Sequence, residues 1–222
     1  MAPRKKNPVD LKPEGALEAK GGTGVTNAAA FAPYRVEMEL TGTADMLMHR
    51  YDVEEVESKS AGTSKGGKSK KTDNVESYLY RGKDGMLRLP GEVVKACIVD
   101  GAKFLQDPRS PRKAAKDLFK AGILAAAPTE FQNHEGKQVR EWDYLDKRRA
   151  VVQRNAVLRV RPAFMAGWRV KATFDVIASD LITEDFFRKA VDNAGRFCGM
   201  CDFRPDFGRF RVDSWRVTPL TV

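Results

Sequence analysis

The chain has no apolar run near the roughly 20 residues that span a bilayer. Met1-Ala2-Pro3-Arg4-Lys5-Lys6 is not followed by the apolar core of a signal peptide. No segment joins a basic face to a long apolar helical face, so a membrane surface is a poor partner, and a cytoplasmic protein is expected. Cysteine is scarce and odd in number, three residues in 222, which argues for reduced thiols and against a disulfide framework. Cys198 and Cys201 form a CxxC pair, but Cys97, His49 and His134 are too scattered to complete a zinc set. The pair also follows a helix, whereas a redox CxxC opens one. With only two histidines, acid–base chemistry has few candidates. No Ser-His-Asp arrangement or carboxylate cluster for two-metal phosphoryl transfer stands out. Neither a metal, a cofactor nor a catalytic residue is expected, with His49 the one histidine placed where a metal-independent ribonuclease could use it.

Positive charge is abundant. Lys and Arg number 39 against 30 Asp and Glu, a net +9 with pI near 9.5, which suits a phosphate backbone. From Lys147 to Lys171 there are eight basic residues and no acidic one. Read with the period of two of a strand, Val152, Ala156, Leu158 and Val160 share one face, and Gln153, Asn155, Arg159 and Arg161 the other. In the next run Trp168, Val170, Ala172, Phe174 and Val176 oppose Arg169, Lys171, Thr173 and Asp175. Pro162 and Gly167 bracket the connection, which predicts a hairpin of these two runs with its cations on one surface.

The length suits one sizeable domain. Residues 1–32 mix Pro, Gly, Lys and Ala without a period, a flexible arm; residues 33–222 read as a single domain with a mobile basic insertion at about 52–77. A first strand runs from Tyr34 to near Gly42, with Val36, Met38 and Leu40 alternating with Arg35, Glu37 and Glu39. Met86 to Leu89 reads as a short strand stopped by Pro90, and Glu92 to Leu105 as a helix. Ser110-Pro111 predicts the start of a second helix to Ala121. Ile123 to Phe131 reads as a strand, Gln132 to Lys137 as a turn and Trp142 to Asp146 as a connector. Thr183 caps a late helix, with Phe187 stapled on Ile182 and Gly195 as its stop. In the last strand, Arg209 to Val217, Phe210 and Val212 have the opposite parity to Trp215 and Val217, which predicts a bulge near Asp213.

Gly62 to Ser69 matches GxxxxGK[ST], but neither a buried strand nor an apolar helix flanks it. A basic loop along a phosphate backbone, using Lys65, Lys68, Lys70 and Lys71, is the better reading. Bases of a splayed strand need aromatic platforms; Phe164, Phe197, Phe203 and Phe207 are available beside Arg196, Arg204 and Arg209, with Phe164 and Phe203 the ones expected to be exposed.

Leu87-Arg88-Leu89-Pro90-Gly91-Glu92 opening a helix resembles the "LPG" helix start of the RAMP superfamily. The late helix followed by Gly195 to Gly208 and a final strand is similar to that superfamily's Gly-rich loop. Arg159 to Phe164 with Trp168, and Ala194 to Phe210, also look like phage and prophage proteins of that fold. The resemblance spans about Tyr34 to Val217. It implies an α+β, RRM/ferredoxin-like βαββαβ sheet with helices on one face, the long basic insertion after the first strand and a Gly-rich loop before the last. Its known members include the backbone subunits of CRISPR effector complexes, which polymerise along a guide RNA. Some relatives cut RNA with an acidic loop residue, a place Asp45 or Asp52 could fill, or with a histidine.

The function expected is non-catalytic, sequence-independent binding of single-stranded RNA or DNA by a homo-oligomer lying side by side along the strand, with CRISPR-type proteins as further possible partners. Arg154, Arg159, Arg161, Arg169 and Lys171 would hold the backbone, helped by His49, Arg50, Arg204, Arg209 and Arg211. The alternatives are an endonuclease using His49, or a phage protein that imitates a backbone subunit to block a host complex.

Overall fold

A computed structural model describes residues 32–50, 74–127, 129–152 and 155–220. The arm at 1–31, the insertion from 51 to 73 with its GxxxxGK[ST] segment, Asp52 and the four lysines, and Arg154 lie outside the described residues. The element order is β1 (Tyr34–Gly42), β2 (Met46–Leu47), α1 (Gly91–Gly101), β3 (Gln106–Asp107), β4 (Ser110–Ala114), α2 (Lys116–Gly122), β5 (Ile123–Ala125), β6 (Glu130–Gln132), β7 (Tyr144–Val152), β8 (Asn155–Phe164), β9 (Arg169–Val176), α3 (Glu184–Asn193) and β10 (Phe210–Pro219). Short 3-10 turns at Val75–Tyr78 and Ala102–Phe104 and a π-helical turn at Ala194–Cys198 complete it. This is a mixed α+β architecture whose pairings are all antiparallel. No described helix is long and apolar enough to cross a membrane.

The main sheet runs β10-β1-β9-β5, with β6 also on β9. Alternation sorts its faces as the period of two requires: Val36, Met38 and Leu40 of β1 and Val170, Ala172, Phe174 and Val176 of β9 are buried together. On β10 the register passes from Glu39↔Ser214 to Leu40↔Val212. Asp213 is therefore the extra residue, and it lets Val212 and Trp215 both pack on the core despite opposite parity. Val94, Cys97 and Ile98 of α1 and Phe187, Ala190 and Val191 of α3 cover this apolar face. The Thr183 side chain accepts from the Phe186 amide and caps α3, while Ile182 and Phe187 are both fully buried.

Helix α3 does not stop at Gly195. It continues through the π-helical turn to Gly199, whose φ of 77° makes it the terminator. Gly195 is small for another reason: a Cβ there would strike the Phe210 carbonyl of β10. Ser110–Ala114 is not the first turn of a helix but a strand paired with β3. Its residues 111–114 are all exposed, so no buried stripe holds a helical turn before Ala115. The expected strand over 123–131 is two pieces on the same neighbour, β5 and β6. Met86–Leu89 makes only a bridge between Leu87 and Arg81, and the expected connector at 142–146 already includes the start of β7.

The second sheet has the order β2-β8-β7. β8 pairs with β7, from Tyr144↔Ala163 to Val152↔Asn155, and not with β9. The predicted hairpin of the two basic runs is therefore absent: the chain leaves the second sheet at Phe164 and enters the main one at Arg169. Trp168 sits at this junction, fully buried, its Nε1 donating to the Ala44 carbonyl at 2.9 Å. The indole lies against Gly42, where a Cβ would overlap it.

Helices α1 and α3 approach most closely at Gly101, where a Cβ would meet the Ala190 carbonyl oxygen and the Ala194 amide nitrogen. Both are backbone atoms, so neither can swing away. Gly101→Ala is expected to lower unfolding free energy by about 1–3 kcal/mol, the usual cost of overpacking, and urea denaturation checks it; an unchanged midpoint would show that the helices separate freely.

Candidate nucleic-acid interface

The β7–β8 hairpin has two unlike faces. By register, Asp146 opposes Arg161 and Arg148 opposes Arg159, so these four share one face. Leu145, Lys147, Arg149 and Val151 lie on the other, across from Leu158 and Val160. Val151 is 70% and Leu158 65% exposed, so the face expected to enter a core is the open one. Among the described residues no layer covers it, and the arginine face turns inward instead.

That inward face meets the loop from Gly199 to Gly208. Met200 N–H donates to Gly208 O, Gly208 N–H to Asp45 O, and Asp202 N–H to Leu47 O, each at 2.8–2.9 Å. Cys201 and Phe203 adopt left-handed backbone conformations, φ 65° and 53°, which non-glycine residues hold only when their surroundings fix them. The loop thereby presents Asp202 to Arg161, whose Nε donates to Oδ2 at 2.8 Å. Arg161 is 4% exposed and stacks 4.5 Å from the Tyr78 ring centroid. It is a buried, paired cation and not a free phosphate ligand, contrary to the expectation. The Arg148 guanidinium lies 4.8 Å over Phe203 and 4.2 Å over Phe207 and is also paired with Asp146. Asp146 and Asp202 thus neutralise Arg148 and Arg161, while Lys147, Arg149 and Arg159 have no carboxylate partner among the described residues.

The hairpin base is tied down by Asp45, whose Oδ2 accepts from the Tyr144 hydroxyl at 2.6 Å and Oδ1 from the Ala166 amide at 2.8 Å. Burial, then the hydrogen bond and charge of Asp45, push the Tyr144 phenol up to about 12. Asp45 is occupied in holding the fold.

The other candidates divide. His49 is exposed at the rim, its Nδ1 3.7 Å from Asp202 Oδ2 and its ring edge-on to Tyr78 at 4.8 Å. Arg50 lines a cleft of about 960 Å³ at the start of α1. Phe203 is half-buried beneath Arg148, so it is not a bare platform. Arg204 is 3.2 Å from Asp100; although burial favours the neutral acid, Lys103 and Arg204 hold Asp100 below its usual range. Arg209 donates to the Pro205 carbonyl at 2.7 Å. Phe164 is fully buried, edge-on to Phe131 at 4.8 Å, and cannot stack a base.

Arg169 and Lys171 do not join Arg159, because β9 belongs to the main sheet. On that sheet's open face Lys171 is 4.0 Å from Glu130, Arg35 pairs with Asp175, Arg211 with Asp213 and Arg216 with Glu37. Most charges of the open face are therefore matched in pairs.

Reasoning from sequence counted Lys147, Arg148 and Arg149 in the basic stretch and Phe207 among the available aromatics, but assigned none of them to the interface. The Lys147-Arg148-Arg149 triplet was the available signal, but both faces of β7 mix apolar and charged residues, so alternation says nothing there. Cys97 Sγ donates to the Gly199 carbonyl at 3.1 Å, and burial raises its thiol well above the ordinary value. Cys198 and Cys201 are free.

No family model matches the chain, and no curated protein matches it. Among solved structures it is similar to a chain of the Type III-B Cmr-beta complex bound to cognate target RNA, determined by cryo-electron microscopy, at 7% identity and a TM-score of 0.48. The overlap covers 85% of this chain and 61% of that one, so this chain spans under two thirds of its neighbour, and an overlap this loose assigns no partner.

Asp202→Ala would leave Arg161 charged in a closed site. A loss of about 2–3 kcal/mol is expected, below the ~3–5 of fully buried pairs because Asp202 keeps some contact with water. Arg161→Met with Asp202→Leu should cost less than the sum of the single changes in chemical denaturation; strict additivity would show that the pair is not coupled.

Proposed function

We propose that this protein is a non-catalytic, sequence-independent binder of single-stranded nucleic acid, with the β7–β8 hairpin as its phosphate-gripping element. The observation that carries the reading is the charge imbalance there: among the described residues Lys147, Arg149 and Arg159 are left without a carboxylate partner on one two-stranded ribbon, beside a main sheet most of whose charges are paired. Like charges this close raise folding energy unless a polyanion or solvent relieves them. The adjoining Phe203 and Phe207 rings, held by Arg148, favour a strand whose bases are splayed over one paired into a duplex.

The core supporting this interface is, in our reading, RRM-like. Taking β1, β5, β9 and β10 as successive strands, with α1–α2 and α3 as crossovers, the order β10-β1-β9-β5 is that of a βαββαβ sheet. Leu89-Pro90-Gly91 leads into α1 and Gly199–Gly208 follows α3, the places the RAMP resemblance gives them. Copies lying side by side along a strand would meet through the exposed Val151 and Leu158 and the outer edge of β10, which pairs with no described strand beyond β1.

Lys147→Ala, Arg149→Ala and Arg159→Ala together are expected to weaken binding to fluorescent single-stranded RNA or DNA. They should also reduce the log–log salt slope by about 2, near 0.7 per lost phosphate contact, with the thermal unfolding midpoint not lowered. An unaltered slope in anisotropy titrations removes the hairpin from the interface.

A second reading, endonuclease activity, is favoured by exposed His49 beside the Asp202 carboxylate. Labelled RNA incubated with the protein in EDTA tests it: intact RNA is the expected outcome, and discrete products lost in His49→Ala would favour the enzyme instead.

A further inference from the structure

At the far end of α1 two of the largest exposed apolar side chains meet. Phe104 is 58% and Phe197 46% exposed, and their rings sit 5.1 Å apart, tilted by 51°. Phe104 ends the 3-10 turn after α1, and Phe197 stands on the π-helical turn after α3, a helical irregularity that recurs at functional sites. Phe203 joins them in lining a cleft of about 560 Å³. Its polar edge is cationic: Lys103 and Arg204 flank Asp100, and Arg196 lies 5.2 Å over the Phe197 ring. Two cations thus flank Asp100 and a third stands over Phe197, while the cleft's other carboxylate, Asp202, is paired with Arg161 on the hairpin side, so positive charge is in excess beside the three rings.

Core packing does not explain this arrangement, since Phe104 turns more than half of its surface, and Phe197 nearly half, toward water. A ligand that covers them needs a flat apolar face and negative charge close to it. A nucleobase with its phosphate has both. The cleft is also continuous with the proposed interface, because Phe203 both lines it and carries the Arg148 guanidinium on the hairpin side.

We infer that the Phe104–Phe197–Phe203 cleft is a nucleobase-stacking subsite, which receives an unpaired base of a strand whose backbone lies on the β7–β8 hairpin. This rests on the proposed single-strand binding and adds to it where bases, as distinct from phosphates, are held.

The test compares two oligonucleotides of equal length, one of ordinary nucleotides and one abasic throughout, with the full-length protein and the Phe104→Ala/Phe197→Ala variant. The expected result is a tenfold or greater loss of affinity for the base-bearing strand, about what removing one stacking contact costs. Affinity for the abasic strand and the salt slope should not change. Phe104→Trp with Phe197→Trp should restore base-bearing affinity, and 2-aminopurine in the strand should be quenched by the wild type and not by the alanine variant. Equal binding of both strands by wild type and variant overturns the subsite while leaving the hairpin interface intact. Failure of the wild type to bind either strand at low salt overturns both readings. A fall of several degrees in melting temperature for the alanine variant, or self-association lost in it with strand binding unchanged, would show that protein covers the rings, and also overturns the subsite.

Discussion

The charged contact of Arg161 with Asp202 is the most buried of the ties between the second sheet and the main domain, beside the bonds of Asp45 and the stacking of Arg148. The cation comes from β8 and the carboxylate from the loop after α3, and Asp202 N–H also bonds to Leu47 of β2. Arg161 does not tolerate the loss of Asp202, because its guanidinium has almost no access to water. Around this pair the structure collects Tyr78 as a lid on Arg161, His49 at the rim and the backbone of Cys201 and Phe203 in conformations that only a crowded loop sustains. Such a contact contributes less to stability than to geometry: it sets where the hairpin leaves the domain.

The two sheets handle charge differently. The open face of the main sheet alternates acids and bases at contact distance, so its field largely cancels. The hairpin has only Asp146 of its own and borrows Asp202, leaving its cations in excess. Total charge would not reveal this division, since the net +9 is spread over the whole chain; what matters is which bases have an acid within reach.

Much of the main sheet was legible in the sequence. Alternation in β1 and β9 holds residue by residue, since one face of each is buried and the other wet. The parity break in β10 located the bulge at Asp213, and Thr183 marked the start of α3. The second sheet was not legible, because strand pairing is a tertiary choice: Arg159 and Arg161 could be placed on one face of a strand, but the pattern could not say that β7 and not β9 lay alongside. It also could not say that Arg161 would face inward, since a buried arginine depends on an aspartate 41 residues away. Ser110-Pro111 carried a helix-start signal, but such a signal works only where a buried stripe follows at once, and Pro111 to Ala114 bury nothing. Phe164 read as a turn residue because Pro162 precedes it, yet β8 extends through it into the core.

Arg148 and Arg159 stand directly across from one another on adjacent strands. Dissolved ions soften that repulsion, so added salt acts on this ribbon in two opposite senses: it steadies the folded hairpin and competes with any polyanion laid upon it. On the proposed function, a phosphate chain laid on this ribbon would act as its counter-ion, a part of the fold as well as its cargo.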